Sequence, residues 1–292
     1  MVARGDTVSA ISMASAAALA VAVVLGLPGC NAPDSVAKFA SSAVTALQAG
    51  DAIFDDMKAS CIREAETREA FGSFSLADPS STACDDIGKQ AEGLKAASAV
   101  VSSYFKALND LASFGKTKAG ADAKDQAAKA SAHAKLSAAR QAALGSVADF
   151  LARAALGGYQ QKQLAEDIAK VHEDVGAVLE GLGEASGVVY YQQLADQQQK
   201  TAARYKEFLL QYPQHPDIIL GLDSRWQADR TAFTAKEKAA RSYQAAVNLI
   251  AKGNDDLVAH AARLRTKELT SLLSPYATQL ESLAPAIQKA LF

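Results

Sequence analysis

The chain has 292 residues and a formal net charge of −2, from 32 acidic and 30 basic side chains. This balance excludes the strongly basic surface with which proteins attract the phosphates of nucleic acids. Aromatic residues make up 7% of the chain and there are only 7 prolines, whereas alanine is abundant. That composition favours helices, and no segment alternates β-branched residues as a half-buried strand does. We therefore predict an all-α protein that does not bind nucleic acid.

The N-terminal residues have the layout of an export signal. A short start that contains Arg4 leads into an almost entirely apolar run over residues 10–27. That length suits the core of a signal peptide and lies at the lower limit for a helix that crosses a bilayer. An ordinary signal peptide and an uncleaved membrane anchor are both compatible with the run alone.

The run ends in Leu27-Pro28-Gly29-Cys30, which resembles the lipobox of bacterial lipoproteins, although Pro28 is unusual at its position. The resemblance implies that residues 1–29 are a signal peptide and that Cys30 carries a diacylglyceryl thioether and an acylated amine, with chains such as palmitate. Two or three acyl chains anchor a protein firmly, whereas one chain binds only marginally. Asn31 follows the cysteine where inner-membrane lipoproteins carry aspartate. The resemblance thus implies a periplasm-facing protein of the bacterial cell envelope, in the outer membrane rather than the inner one.

Two further cysteines, Cys61 and Cys84, form an even pair. The envelope is oxidising, and in an exported protein such a pair favours a disulfide. The bond would join the first two helices and contribute about 3 kcal/mol to stability. Two buried free thiols are the alternative.

Two segments before residue 113 carry apolar or small residues at alternating steps of four and three, the heptad pattern of a coiled coil. The first seam comprises Val36, Ala40, Ala43, Leu47, Gly50, Phe54, Met57 and Cys61, and the second comprises Ile87, Ala91, Leu94, Ser98, Val101, Phe105, Leu108 and Ala112. A loop with Gly72 and Pro79 separates them. The two seams therefore predict long helices paired in an antiparallel hairpin.

The middle of the chain alternates between weak and strong helical patterns. Residues 115–135 contain no large apolar side chain, so we expect a solvated helix or a linker there and no part of the core. The apolar pattern returns at Leu136 and ends at Gly157-Gly158. A domain boundary near residue 157, or near residue 213, is an alternative to a single bundle.

A third seam runs over residues 164–189, but residues 176–191 contain four glycines. Glycine costs a helix about 1 kcal/mol relative to alanine. Either something packs close against these glycines, or the stretch is a bent helix, a turn or a hairpin. The two prolines in residues 212–217 predict a firm break in the chain. Gly253-Asn254 predicts the end of one helix and the start of another, and Pro275 and Pro285 predict kinks or a split in the last helix.

The sequence offers little that could carry chemistry. The four histidines, His133, His172, His215 and His260, lack the spacing of three or four residues that places two metal ligands on one helical face. Neighbouring carboxylates such as Asp55-Asp56 point in different directions on a helix and do not make an acid–base couple. We predict no catalytic residue, no metal and no cofactor besides the lipid on Cys30.

These observations favour an elongated antiparallel helical bundle that acts as a membrane-anchored, non-enzymatic binding or scaffolding module for another envelope protein. The sequence does not identify the partner-binding residues. The tyrosines between Tyr190 and Tyr212 are candidates for contact anchors, and they are equally explained as core residues. The alternative function is a membrane-active, pore-forming-like protein in which residues 175–191 form an apolar hairpin.

Overall fold

A computed structural model of the protein describes residues 32–72, 82–112, 122–155, 161–260 and 266–290, and residues 1–29 with Cys30 lie outside this part. The described residues are almost entirely helical, which confirms the prediction of an all-α bundle. The helices are α1 Ala32–Ala49, α2 Asp51–Gly72, α3 Thr82–Ala112, α4 Ala123–His133, α5 Ala138–Ala155, α6 Gln161–Glu184, a π-helical segment Ala185–Tyr190, α7 Tyr191–Gln211, α8 Pro216–His260 and α9 Thr266–Lys289.

Helix α8 is the longest of the described helices. Its 45 residues correspond to a length of about 68 Å. Helices α1, α6, α7 and α9 all pack against it. From Ala239 onward α8 contributes buried side chains to the core, whereas none of residues 216–238 is buried. The molecule therefore has a tightly packed proximal half and a distal half in which α7 and α8 form a projecting hairpin.

The core of the proximal half is built around aromatic side chains. Phe39, Phe54, Phe105 and Tyr243 are fully buried. The ring of Phe39 meets that of Phe105 edge-to-face at 5.8 Å, and Phe54 meets Tyr243 in the same way at 5.7 Å. Such pairs contribute about 0.5–1.5 kcal/mol beyond the burial of their surface. The seams predicted on the first two helices thus lie in the core.

The first predicted helix is interrupted at Gly50, where α1 ends and α2 begins. A Cβ atom on Gly50 would lie only 2.2 Å from Cε2 of Tyr243. The absence of a side chain at Gly50 therefore leaves room for the ring of Tyr243 between α1 and α2, which would otherwise form one continuous helix. The heptad seam crosses this break without losing its register, since Leu47 and Phe54 are both fully buried.

The expectation that residues 115–135 stay out of the core is wrong for α4. Its face of small side chains is buried against α3 and α5, and consists of Ala123, Ala127, Ala130 and Ala134. A helix that presents alanines can approach its neighbour closely, so it needs no large side chain to join the core. At the closest point, a Cβ atom on Gly93 of α3 would lie 2.3 Å from the backbone nitrogen of Ala134.

The glycine-rich stretch over residues 176–191 is neither a turn nor a hairpin. Helix α6 passes through the π-helical segment directly into α7. Gly187 lets Gln244 of α8 approach, because a Cβ atom there would lie 2.2 Å from its side-chain Cδ. The hydroxyl of Ser186 donates to the backbone oxygens of Leu182 and Gly183, which satisfies polar groups where the helix widens. Gly181, Gly183 and Gly187 therefore serve close packing, whereas nothing lies within 4 Å of a Cβ atom placed on Gly176.

The predicted break at Gly253-Asn254 is also wrong, because both residues lie buried inside the continuous helix α8. A Cβ atom on Gly253 would lie 2.6 Å from Phe39, and Asn254 accepts a 3.0 Å hydrogen bond from the hydroxyl of Tyr104. Pro275 and Pro285 do not split α9. Both are exposed, so the backbone oxygens that lose an internal donor can face solvent.

The contact at Gly93 can be tested with a matched pair of glycine substitutions. Gly93→Ala should lower the free energy of unfolding by about 2 kcal/mol or more, because the new methyl group meets backbone that cannot yield easily. Gly145→Ala in α5 should raise it by up to about 1 kcal/mol, because nothing lies within 4 Å of the added carbon and alanine favours a helix. Urea unfolding followed by circular dichroism measures both, and equal effects would contradict the close packing of α4.

Candidate functional site

The predicted disulfide is confirmed: Cys61 of α2 and Cys84 at the start of α3 are bonded, with a Cα–Cα distance of 5.8 Å. The bond joins the middle of α2 to the start of α3. An ion pair of 3.8 Å between Lys58 and Asp85 lies close to it. The cysteine pair therefore fixes α3 to the distal half of the molecule. The predicted lipid site, Cys30, lies outside the described residues.

A charged cluster lies where α2, α8 and the π-helical segment meet, and Asp56 is at its centre. Arg63 donates to both carboxylate oxygens of Asp56 at 2.8 and 3.0 Å. Lys236 of α8 donates to the same carboxylate at 2.8 Å, and the hydroxyl of Tyr190 donates a short hydrogen bond to it. The side chains of Asp56 and Lys236 are only 14% and 15% exposed. This Asp56 cluster joins three helices through one nearly buried carboxylate.

The environment of the cluster shifts the pKa values of its members. Burial lowers the pKa of the Lys236 ammonium, an effect that Asp56 opposes and Arg63 reinforces. Burial, together with the charge of Asp56, raises the pKa of the Tyr190 hydroxyl far above its ordinary value. Both carboxylate oxygens of Asp56 already accept hydrogen bonds from side chains of the protein. The cluster is thus a closed set of internal contacts that fixes helix positions.

Sequence reasoning did not identify this cluster, although it treated Asp55-Asp56 correctly as two unrelated carboxylates. Asp55 points to α3, where Lys95 donates to it at 2.8 Å, and Asp56 points to α8. Lys236 is separated from Asp56 by 180 residues. No signal short of the tertiary fold could have paired them.

Polar contacts continue along the interface between α2 and α7, with one contact for almost every helical turn. The amide of Gln193 donates to the backbone oxygen of Met57 at 3.4 Å. The amide of Gln197 donates to the backbone oxygen of Ser60 at 3.3 Å. Lys200 pairs with Glu64 at 2.8 Å. The distal hairpin is therefore attached to α2 largely by hydrogen bonds and charge.

Asp51, the first residue of α2, is half-buried beside the break at Gly50. Burial raises the pKa of its carboxyl group to about 6. The charge of Lys95 on α3 opposes this rise, and the charge of Asp55 adds to it. Burial raises the pKa of the Tyr243 hydroxyl of α8, and the charge of Asp51 adds to this rise. Asp51 thus changes its charge in a pH range that lies well above that of an ordinary aspartate.

Three of the four tyrosines considered as contact anchors, all except Tyr212, form hydrogen bonds within the protein. Tyr190 is fully buried in the Asp56 cluster. The guanidinium carbon of Arg241 lies over the ring of Tyr191, 4.4 Å from the ring centroid. The same guanidinium donates a hydrogen bond to the Tyr191 hydroxyl. Tyr205 donates to Asp229 at 2.9 Å. These contacts favour the interpretation of the tyrosines as structural residues that join α7 to α8 and α2.

The distal hairpin exposes large apolar side chains near its end. Leu210 at the end of α7 is 72% exposed, and Leu220 at the start of α8 is 71% exposed. Tyr212 in the connecting loop is 37% exposed. Residues 208–222 contain Asp217 as their only charged side chain apart from His215. Three of the five exposed large apolar side chains of the described chain thus lie at this end, and Val188 and Val189 are the other two.

No group of histidine, cysteine, aspartate and glutamate side chains in the described ranges could hold a metal ion. Nδ1 of His172 contacts the backbone oxygen of Ala169 at 2.6 Å, and His215 lies beside the ring of Tyr212. None of the helices described is long and apolar enough to cross a membrane. Comparison with protein families, with curated proteins and with solved structures finds no significant match to the chain.

The Asp56 cluster makes a quantitative prediction about stability. Asp56→Asn should lower the free energy of unfolding by about 3 kcal/mol, because it leaves the buried charge of Lys236 without its partner. Asp55→Asn is the matched control on the same helix. The Asp55 side chain is 64% exposed, so the loss of its pair with Lys95 should cost less than about 1 kcal/mol. Chemical unfolding at pH 7 measures both variants, and similar losses would show that the cluster is not a special contact.

The raised pKa of Asp51 predicts a pH-dependent stability. The native state binds the proton more tightly than the unfolded chain, so its stability declines as the pH rises from about 4 through 6. Asp51→Asn removes this decline. The variant should match the native protein near pH 4 and exceed it by about 1 kcal/mol at pH 8, after allowance for the half-exposed side chain.

Thermal unfolding across this pH range measures the difference between the Asp51→Asn variant and the native protein. Asp86→Asn is the control, since the Asp86 side chain is 81% exposed. A gain for Asp51→Asn that does not change with pH, or an equal gain for Asp86→Asn, would contradict the assignment.

Proposed function

We propose that the chain is a lipid-anchored protein of the bacterial cell envelope that holds another envelope protein and does not catalyse a reaction. The observation that carries the proposal is the position of the predicted anchor. Helix α1 begins at Ala32, only two residues after Cys30. A lipid on that cysteine would hold the start of the bundle directly against a membrane surface.

The arrangement of the helices then places the distal hairpin at the far end of the molecule. Phe39 near the start of α1 lies against Gly253 near the end of α8, and Asp56 of α2 pairs with Lys236. Helix α8 therefore runs antiparallel to α1 and α2, and its first residues lie about 68 Å from the anchored end. When the long axis of such a bundle is perpendicular to the membrane, the hairpin extends away from the lipid surface.

The interior of the bundle supports a structural role. The two nearly buried charged side chains of the Asp56 cluster, Asp56 and Lys236, form a hydrogen bond with each other, and Asp56 also accepts hydrogen bonds from Arg63 and Tyr190. The anchor would raise the local concentration of the protein at the membrane, so that a weak interaction suffices to hold a partner. The continuity of residues 175–191 as one helix favours this role over the membrane-active alternative, which requires a hairpin there.

The anchor can be tested in bacterial cells that express the chain in the presence of a fatty acid with an alkyne group. The native chain should incorporate the label and lose residues 1–29, whereas a Cys30→Ala variant should incorporate none. The double variant Cys61→Ser, Cys84→Ser is the matched control and should keep the label, because its only remaining thiol is Cys30. Cleavage without label would indicate an ordinary signal peptide and would refute the anchor.

The same cells test the scaffolding role through cross-linking followed by mass spectrometry. We expect the native chain to capture a specific envelope protein that the Cys30→Ala variant does not capture. If the native chain captures only lipids, or no protein, the binding role is wrong even where the label shows the anchor to be correct.

A further inference from the structure

The exposed leucines of the distal hairpin lie on opposite outer faces. Successive residues of a helix turn by about 100°, so Leu210 lies about 140° around α7 from Tyr205, which faces α8. Leu220 lies about half a turn around α8 from Asp229, the residue that Tyr205 contacts. Each leucine therefore points away from the other helix of the hairpin, into solvent. A single partner docked on one side would cover only one of them.

The two leucines also lie at the same height along the hairpin. The ring of Tyr205 lies 5.8 Å from that of Trp226, and Tyr191 stacks on Arg241. These two contacts fix the register of α7 against α8 in the antiparallel pair. The same register places Leu210 level with residues 221–222 and Ala203 level with residues 228–229.

We propose that copies of this chain associate side by side and head to tail, with the outer face of α7 of one copy packed on the outer face of α8 of the next. In this arrangement Leu210 of one copy meets Leu220 of its neighbour. Because the two faces differ, the contact is heterologous and can repeat from copy to copy. Such a repeat requires two opposite faces with complementary side chains at the same height along the hairpin. Leu210 and Leu220 meet this requirement.

The outer face of α8 has room for a neighbouring helix. On the side of Leu220 that is nearer the core, this outer face borders an open groove of about 650 Å³ between α8 and the end of α9. Ala228, Thr231 and Ala235 line this groove, so the backbone of a second helix can approach closely. The register brings Ala203 of the neighbouring α7 opposite Ala228. Small side chains thus face one another where the helices would be nearest.

Charges beside the leucines fit the same arrangement. Lys206 lies one turn before Leu210 on α7, and Asp223 lies about one turn after Leu220 on α8. Both side chains are exposed, and neither forms an ion pair with the rest of the described chain. Head-to-tail contact would bring the lysine of one copy near the aspartate of the next. Glu207, which is also exposed, lies on the other side of Leu210 and away from Asp223.

The contact extends over about three helical turns, so its area is smaller than the roughly 800 Å² per partner of a stable interface. We expect weak association in solution and stronger association where the chains are concentrated. The inference rests on the proposed function in one respect only: the lipid anchor would supply the high local concentration of chains at the membrane.

The test uses cysteines at the predicted point of closest approach. The full chain with both Ala203→Cys and Ala228→Cys, expressed in cells and treated with a mild oxidant, should give a ladder of disulfide-linked oligomers on a non-reducing gel. These positions point away from each other within one chain, so the bonds must form between chains. Each single variant alone should stay monomeric, and the two single variants expressed together should give a dimer and nothing larger.

Two matched controls define what the ladder means. Ser146→Cys, on an exposed position of α5, combined with Ala203→Cys should give no ladder. Leu210→Glu or Leu220→Glu in the double-cysteine chain should abolish the ladder, while circular dichroism shows unchanged helix content because both positions are exposed. Dimers of a single variant would show a symmetric contact, and the absence of bonds between chains would show that lipid or another protein covers these faces. Either result overturns the proposal.

A final arm separates this inference from the lipid anchor. The purified Cys30→Ala form of the double-cysteine chain, at high concentration, should still give the ladder. A ladder from this form together with failed lipid labelling would refute the anchor alone. Successful labelling without a ladder in cells would refute the head-to-tail contact alone.

Discussion

The close approach of α8 to the helices around it is the constraint on which the rest of the structure depends. It is achieved where a side chain of one helix enters the space left by a glycine of another. Tyr243 of α8 fills the space at Gly50, and Phe39 of α1 lies against Gly253 of α8. These two contacts fix α8 along the length of α1 and place its first half beyond the core. The projecting hairpin is a consequence of that placement, since α7 accompanies α8 there, with α2 and the end of α9 beside the part nearest the core.

The pattern of large apolar residues predicted the long helices and their antiparallel pairing, because heptad spacing reports directly on a buried seam. It failed where packing depends on small side chains. Helix α4 is held by alanines, which sequence patterns do not distinguish from a solvated surface. Gly253 lies in a helix interior where a large side chain approaches it, although glycine by itself resembles a helix end. Whether a glycine stops a helix or admits a neighbour depends on residues distant in sequence.

The candidate site shows the same limit. The cysteine pair was predictable, because an even count in a chain with a predicted export signal leaves few alternatives. The Asp56 cluster was not, because its members come from α2, the π-helical segment and α8, and only the fold brings them together. The outer faces of the hairpin were hidden for a related reason. Leu210 and Leu220 resemble core residues in the sequence, and their exposure appears only when the seam between α7 and α8 is known.

The two halves of the molecule are stabilised differently, and this difference bears on how the protein can interact. In the proximal half, α8 buries aromatic and aliphatic side chains on one side and exposes a stripe that includes Arg241, Asn248 and Lys252 on the other. The distal half is held to α2 by hydrogen bonds and by the Asp56 cluster, and it buries few apolar side chains beyond Leu194 and Tyr205. Local openings occur first where few apolar contacts are buried. Contact between neighbouring hairpins would add apolar burial at the one place where the isolated chain lacks it, so association would stabilise the distal half without any change in the core.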